Sequence, residues 1–398
     1  MQTTPPPTSP QLATEAIVAT LQALVRINSV NPAHEGPAEG QRAVLDCAAA
    51  LLVRHGVAAQ VKLTPTGAPL LRATLPGQRL GPPLVLESHV DTVSVAGMTI
   101  APFEAEIRDG RLWGRGSTDA KGQCAAMLHA VLAWAESIRN GMLPLQAVEL
   151  VLVTDEEFGF TGAESLLADG LNACGIVIGE PTGLRVVTSH KGTVRWWVRC
   201  EGRSAHGAKP HLGLNAISVA AKMIEALERE LLPRLATRSA PLLAAPTINI
   251  GRIEGGIQVN LVPPLCRFQI DRRIIPGEHE SDALHELDAI LQAAAAQIPG
   301  CRVSVEPATL SAAPLATATN SALARAAGQA AAVCGVQPDP IGVDYATDAS
   351  VLAATGLPIV VAGPGSIDQA HTADEFISLD DLAAGARFYT DLIGRALD

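Results

Sequence analysis

The residues able to do chemistry gather where apolar runs stop. Leu84-Val85-Leu86-Glu87-Ser88-His89-Val90-Asp91 is a strand-forming run that ends on a His and an Asp two positions apart. Residues i and i+2 of an extended chain point the same way. An imidazole that can ligate a metal therefore stands beside a carboxylate that can hold the ring in one orientation. Alone, this pair is also what a hydrogen-bonded structural His looks like, but four later stretches add to it. Asp119 sits in Gly114-Arg-Gly-Ser-Thr-Asp-Ala-Lys-Gly122, just ahead of a helical pattern. Thr154-Asp155-Glu156-Glu157 and Gly179-Glu180-Pro181-Thr182 each close an apolar run, and His371 follows Gly363-Pro364-Gly365. Oxygen and nitrogen ligands without a thiolate suit two Zn²⁺ or similar ions with one bridging carboxylate. Two such ions about 3.5–4 Å apart activate a water and polarise a carbonyl. That chemistry needs a further carboxylate as general base, and adjacent Glu156 and Glu157 offer one group for the metal and one for the proton. The bland alternative is a solvated acidic rim with core histidines.

The elements that must position these groups follow from periodicity. Helices are expected over about Leu12–Ile27, Gly40–His55 and Gly122–Ile138, with strands near Ala58–Leu63, Leu70–Leu75, Leu84–Glu87, Ala147–Val153 and Ile176–Ile178. Apolar strands alternating with helices indicate an α/β sheet covered on both faces. Ligands of such sheets bind at the carboxyl ends of the strands. Asp109-Gly110 reads as a hairpin turn. The rhythm then changes to strand (Val194–Cys200), helix (Leu214–Leu231), strand (Thr247–Ile253), strand (Leu265–Ile270), helix (Glu280–Ala296) and strand (Arg302–Glu306). That is the ferredoxin-like βαββαβ order, inserted as a module over 193–308 between two parts of an α/β domain, 1–192 and 309–398. Residues 1–10 are expected to be a disordered, Pro-stiffened tail.

Composition narrows the partners. A chain of 398 residues with 48% hydrophobic residues suits two domains with ample cores. The formal net charge of −11 argues against nucleic acid or an anionic membrane. Seven scattered cysteines without a C-x-x-C read as reduced thiols in a cytosolic protein. The amino-terminal residues lack the features of a signal peptide, and no apolar run reaches the roughly 18 residues of a membrane helix. A soluble cytoplasmic protein is expected.

Ser88-His-Val-Asp-Thr-Val93, Gly114–Gly122, Asp155-Glu-Glu157, Gly179-Glu-Pro-Thr182 and Gly363-Pro-Gly365 with His371 are similar, in order, to the motifs of the M20 metallopeptidase/deacylase family. That is the family of acetylornithine deacetylases, succinyl-diaminopimelate desuccinylases and glutamate carboxypeptidases. The resemblance implies a zinc-exopeptidase-like three-layer catalytic domain with an inserted ferredoxin-like lid that also makes a homodimer. It implies His89, Asp119 and Glu180 around one Zn²⁺ and Asp119, Glu157 and His371 around the other, with Co²⁺ or Mn²⁺ as substitutes. Asp91 would orient His89, and Glu156 would be the general base. In the lid, Arg203-Ser-Ala-His206 resembles a motif whose His stabilises the oxyanion. Asp271-Arg-Arg273-Ile-Ile-Pro-Gly277 resembles the family's Asp-x-Arg-x-x-Pro-Gly, which implies that Arg273 binds a substrate carboxylate, with Asn260 nearby; Arg272 and Arg252 are its rivals. His211, His190 and His129 read as turn, packing or helix residues. Ser94, where many members carry Pro, is a departure outside the chemistry, and Gly179-Glu-Pro-Thr favours the deacetylase/desuccinylase branch.

The implied substrate is a small N-acyl amino acid with a free carboxylate. A carboxypeptidase or dipeptidase of the same family, or a metal-free binding protein on the same scaffold, is the alternative. Which acyl group and amino acid are cleaved is not written in any one of these motifs.

Overall fold

The computed structural model describes residues 3–397. They divide into two compact units. The first is formed by the chain up to Thr188, by Thr317–Ile341 and by the chain from Thr347 onward; the second by Ser189–Ala316 and Gly342–Ala346. The second unit therefore runs a few residues wider than 193–308: a short strand extends its ladder to Ala312, the unit continues to Ala316, and it also takes in Gly342–Ala346.

The first stretch of chain supplies α1 (Thr14–Val25), α2 (Gly40–Arg54), β1 (Ala59–Leu63), β2 (Pro69–Leu75), β3 (Leu84–His89), β4 (Glu106–Arg108), β5 (Arg111–Trp113), α3 (Lys121–Arg139), β6 (Val148–Val153), α4 (Thr161–Ala168), β7 (Gly175–Ile178) and β8 (Val187–His190). The second unit adds β9 (Gly192–Glu201), α5 (Ala216–Ala236), β10 (Thr247–Gly255), β11 (Leu265–Ile274), α6 (Glu280–Ala295), β12 (Arg302–Val305), β13 (Leu310–Ala312) and β14 (Leu315–Ala316). The chain then returns through α7 (Ala322–Val333), β15 (Ile341–Val343), α8 (Ala349–Leu352), β16 (Ile359–Val361), β17 (Phe376–Ser378) and α9 (Leu379–Ile393).

In the first unit the sheet order is β1-β2-β6-β3-β7-β16-β8. The central pairs β6–β3, β3–β7 and β7–β16 are parallel, so their carboxyl ends share one edge. β3 and β6 are buried at every position, as strands covered on both faces must be. This makes the unit a three-layer α/β sandwich. On one face, alternate strand residues such as Leu84, Leu86, Leu150 and Leu152 join a core with Ala125, Leu128, Val131 and Trp134 of α3 and Phe388 and Leu392 of α9. The abundant alanines let these helices sit close to each other and to the sheet, and the Trp134 indole N–H donates to the Thr390 carbonyl at 2.9 Å. The β4–β5 hairpin turns on Asp109 (φ 51°) and Gly110 (φ 70°), the left-handed pair that a two-residue turn requires.

The amino-terminal residues correct one expectation. Residues 1 and 2 lie outside the described residues, but 3–10 are docked rather than disordered. Thr4 N–H donates to the Gly394 carbonyl at 2.8 Å, Thr3 bridges Arg395, and Ser9 donates to Glu136 at 2.5 Å while capping a short 3-10 turn. These contacts hold the segment against α3 and the residues that follow α9.

The second unit has the sheet order β10-β11-β9-β12, all antiparallel, under α5 and α6. Strand parity sorts its residues: Trp196, Val198, Cys200, Phe268 and Ile270 face the helices and form a separate core. Trp197 turns the other way, with Arg267 4.4 Å from its ring centre. β13 also pairs with β9, an element too short for periodicity to show. No helix among the described residues is long and apolar enough to cross a membrane.

Candidate metal centre

Seven of the residues singled out above converge at the carboxyl edge of the first unit's sheet. β3 ends on His89, opposite Val153 of β6, so the loop after β6 starts beside it. β7 ends one residue before Gly179, and its neighbour β16 leads into Gly363-Pro364-Gly365 and the His371 loop. Gly179 is there for space: a Cβ would lie 2.8 Å from Met127 Cε and 3.0 Å from Gln123 Cβ.

His89 is buried, and its two ring nitrogens have different company. Nδ1 lies 3.1 Å from the Asp91 carbonyl oxygen and 3.5 Å from Asp91 Oδ1. A proton kept on Nδ1 by these acceptors leaves the Nε2 lone pair for a cation. Nε2 faces Asp119 Oδ1 at 3.2 Å and Glu180 Oε1 at 3.8 Å. The other oxygen of Asp119, Oδ2, lies 3.3 Å from His371 Nε2, which is also 3.1 Å from Glu157 Oε2. Two ligand sets emerge whose donor atoms lie within 4.8 Å of one another: His89, Glu156 and Glu180, and His89, Asp119 and Glu157.

Asp91 does more than orient His89. Its carboxylate accepts from the backbone N–H groups of Glu156 at 3.1 Å and Glu157 at 3.2 Å, and from Asn31 Nδ2 at 2.9 Å. One buried carboxylate thus fixes both the imidazole and the backbone of the acid pair. Asn31 also donates to Asp155 Oδ1 at 2.7 Å, steadying a residue whose φ of 67° lies in the left-handed region.

The electrostatics are those of a site built for cations. Burial raises Glu156, Glu157 and Glu180 above the usual carboxylate range, and their mutual repulsion and that of Asp119 add to it. Asp119 is held well below that range: burial opposes this, and the two facing histidines outweigh it. Hydrogen bonds to Asp119 and Glu157 push His371 up to about 10. For His89 burial disfavours the imidazolium, yet Asp119 and Asp91 still raise it well above the ordinary value. Divalent cations would neutralise the same acids that raise the two histidines. Glu180 Oε1 is buried without a hydrogen-bond donor among the described residues. An acid-rich, donor-poor set of oxygens and imidazole nitrogens fits divalent ions of the zinc kind.

Three features of this edge carry no motif in the sequence. Asn31 lies in the irregular stretch that follows α1. Glu87, two residues before His89 on the same side of β3, faces Asp348, and neither carboxyl has a donor partner among the described residues. Burial and Asp348 push Glu87 well above the usual carboxylate range, and burial brings Asp348 up to about 7. Glu375 is buried under the Asp119 loop. Each is a polar residue whose partner is remote in sequence, and only Glu87 carried a local signal, through strand parity.

The three remaining residues belong to the second unit. His206 is exposed on a loop, accepting from the Ala208 N–H at 3.0 Å, and Gly207 N–H donates to the Asn260 carbonyl at 2.8 Å, so His206 and Asn260 are neighbours. Arg273 is not near them, contrary to expectation. It pairs with Thr247 at the far end of the β10–β11 ladder, eight residues along β11 from Leu265, which follows the Asn260 loop. At ~3.4 Å per residue that is roughly 27 Å. Arg273 Nε donates to Asp271 Oδ1 at 2.7 Å, and Arg195 Nε to Asp271 Oδ2 at 2.9 Å. Its rival Arg272 is buried on the opposite face and tied to Glu278 at 2.9 Å, which makes it structural. Arg252 pairs with Glu254.

Comparison with known proteins matches this geometry. A family model described as Peptidase family M20/M25/M40 matches residues 85–395. The chain is 32% identical over 305 residues to an acetylornithine deacetylase of Myxococcus xanthus, covering 75% of this chain and 76% of the relative. It is 30% identical over 342 residues to a probable carboxypeptidase of Aspergillus clavatus, covering 79% of this chain and 75% of the relative. Among solved structures, a tripeptidase from Staphylococcus aureus shares the fold with a TM-score of 0.77 at 22% identity, over 96% of this chain and 98% of that one.

Proposed function

The chain belongs to peptidase family M20/M25/M40, and from that premise we propose that it is a dinuclear metal-dependent hydrolase cleaving the amide bond of a small N-acyl amino acid, as a deacetylase or desuccinylase does. The observation that carries this reading is the stance of Asp119, whose two oxygens address different imidazoles, 3.2 Å from His89 Nε2 and 3.3 Å from His371 Nε2. A carboxylate shared by two ions takes that stance. We assign His89, Asp119 and Glu180 to one ion and Asp119, Glu157 and His371 to the other, with Zn²⁺ as the native metal and Co²⁺ or Mn²⁺ as substitutes. Bound there, the ions supply Lewis acidity to the attacking water and the scissile carbonyl.

The chain's own groups do the rest. Glu156 takes the proton of the attacking water on a carboxylate oxygen. It delivers that proton to the departing amine as the C–N bond breaks. Asp91 holds the His89 ring and the Glu156–Glu157 backbone in register through its four contacts. In the second unit, assigned here as lid and homodimer contact, His206 would donate to the developing oxyanion. Arg273 would bind the substrate carboxylate in its own subunit, while His206 and Asn260, at the other end of the β10–β11 ladder, would serve the partner subunit's site as the oxyanion donor and a further polar contact. Seven unpaired cysteines support a reducing, cytoplasmic location.

The similarity to the Myxococcus deacetylase supports N-acyl amino acids; the similarity to the Aspergillus carboxypeptidase supports a carboxypeptidase or dipeptidase as the second reading. The test is hydrolysis by metal-reconstituted protein over N-acetyl and N-succinyl amino acids and dipeptides, with Glu156→Gln as control. Metal-dependent cleavage of an N-acyl amino acid, lost in the control, is expected. Preferential cleavage of peptides would favour the second reading. A protein that takes up no metal and cleaves nothing would leave only the binding-protein reading.

A further inference from the structure

Glu375 carries an unusual load for a residue outside the ligand set. It is fully buried, and its carboxylate accepts from Arg115 Nη1 at 2.7 Å and the backbone N–H groups of Gly116 at 3.0 Å, Thr118 at 2.9 Å and Asp119 at 3.1 Å. Four donors fill the roughly four acceptor sites of an ionised carboxylate. The same short segment is stitched to that loop three more times. Gly114 N–H donates to the Glu375 carbonyl at 3.0 Å, Arg115 Nη2 to the Thr372 carbonyl at 3.2 Å, and Thr118 Oγ1 to the Phe376 carbonyl at 2.8 Å.

The segment 114–119 lies between β5 and α3 and has glycines at 114 and 116, so nothing in its own sequence fixes its path. Its last residue is Asp119. His371 stands four residues before Glu375, also outside regular structure, with φ at 61°. Glu375 therefore ties the backbone of one proposed ligand directly to the segment that carries another.

We infer that Glu375 is a positioning residue that templates the Gly116–Asp119 backbone and couples Asp119 to the His371 loop, so that the two ions are held as a pair. The inference rests on the metal-dependent reading above. Gln at this position keeps the size and the bond to Arg115, but its amide N–H₂ would face backbone N–H donors, so one side of the clamp must open. Partners that orient metal ligands typically contribute about 10- to 100-fold in metal affinity.

The experiment uses full-length apoprotein of wild type, Glu375→Gln and Glu375→Asp. Co²⁺ titration by visible absorption is read beside hydrogen exchange of the metal-free proteins. In Glu375→Gln, Co²⁺ affinity is expected to fall about 10- to 100-fold with an altered absorption band. The Gly116, Thr118 and Asp119 amides should exchange at least about tenfold faster, while those of the helix Lys121–Arg139 stay protected. Glu375→Asp keeps the charge beside Arg115 one methylene short, so it should fall between the two, and it serves if the Gln variant does not fold. Folded variants with Co²⁺ affinity within about threefold of wild type, or unchanged exchange at the three amides, would overturn the inference. Wild type that binds no Co²⁺ would sink the metal reading instead, and the exchange data would still judge the clamp.

Discussion

The proposed metal ligands and the proposed recognition residues are held in opposite ways. In the first unit, His89, Asp119 and Glu180 are buried, and each leaves a strand end or a loop pinned by remote partners. Asp91 and Glu375 between them accept from five backbone N–H groups of the ligand loops. In the second unit, His206 and Asn260 are exposed on loops, and Arg273 is occupied by a local carboxylate. A catalytic centre whose geometry is over-determined within one unit should fail abruptly when a ligand goes. A recognition surface with slack should fail by degrees.

The sharpest break is Asp119→Ala. Removing the shared ligand should cost about 10⁴-fold or more in kcat/KM and lower bound metal below two ions per chain, read by atomic absorption after dialysis. Two tightly held ions in this variant would end the bridging assignment. Glu156→Gln comes next. With the base gone and the proposed ligands intact, kcat should fall by about 10²–10⁴ while two ions remain. Glu157→Gln, by contrast, should lose an ion as well as activity. The reverse pattern would swap the two roles.

How much of this was legible follows from the same contrast. Strand-end residues announce themselves, because an apolar run that stops on His89-Val-Asp91 or Thr154-Asp-Glu-Glu157 marks both the edge of the sheet and the chemistry there. The βαββαβ order was legible too, since each element is long enough to show its period. Asn31, Glu87 with Asp348, and Glu375 were not, because a buried polar side chain has meaning only through a partner 60 to 261 residues away. The docked amino terminus escaped for a related reason. Its residues make few local contacts, and their backbone partners Gly394 and Arg395 lie at the other end of the chain.

Two adjacent arginines of the second unit allow stability to be tested apart from the proposed recognition. Arg272 is 2% exposed, and its guanidinium meets Glu278, which also takes Arg238. Arg272→Met should lower unfolding free energy by about 2 kcal/mol, less than a fully buried broken pair would cost because Glu278 keeps a second partner. Urea melts would register this, and kcat and KM should stay within about twofold.

Arg273 offers the smallest and most discriminating effect. Its side chain is 29% exposed, and its Nε and Nη2 lean on Asp271 at 2.7 and 3.4 Å. That pair uses Nε and Nη2 and leaves Nη1 outside it, and an Arg carries five N–H donors in a rigid fork. Asp271 can thus aim the guanidinium while donors remain for a substrate carboxylate. Arg273→Ala should then raise KM about 5- to 50-fold with kcat nearly unchanged, the signature of lost uniform binding. Metal content should hold at two ions, and Arg273→Lys should recover only part of the affinity because it loses the fork. Unchanged KM would mean that the substrate's carboxylate is recognised elsewhere. A fall in kcat with loss of metal would mean that the contrast between a rigid centre and a tolerant recognition surface is drawn in the wrong place.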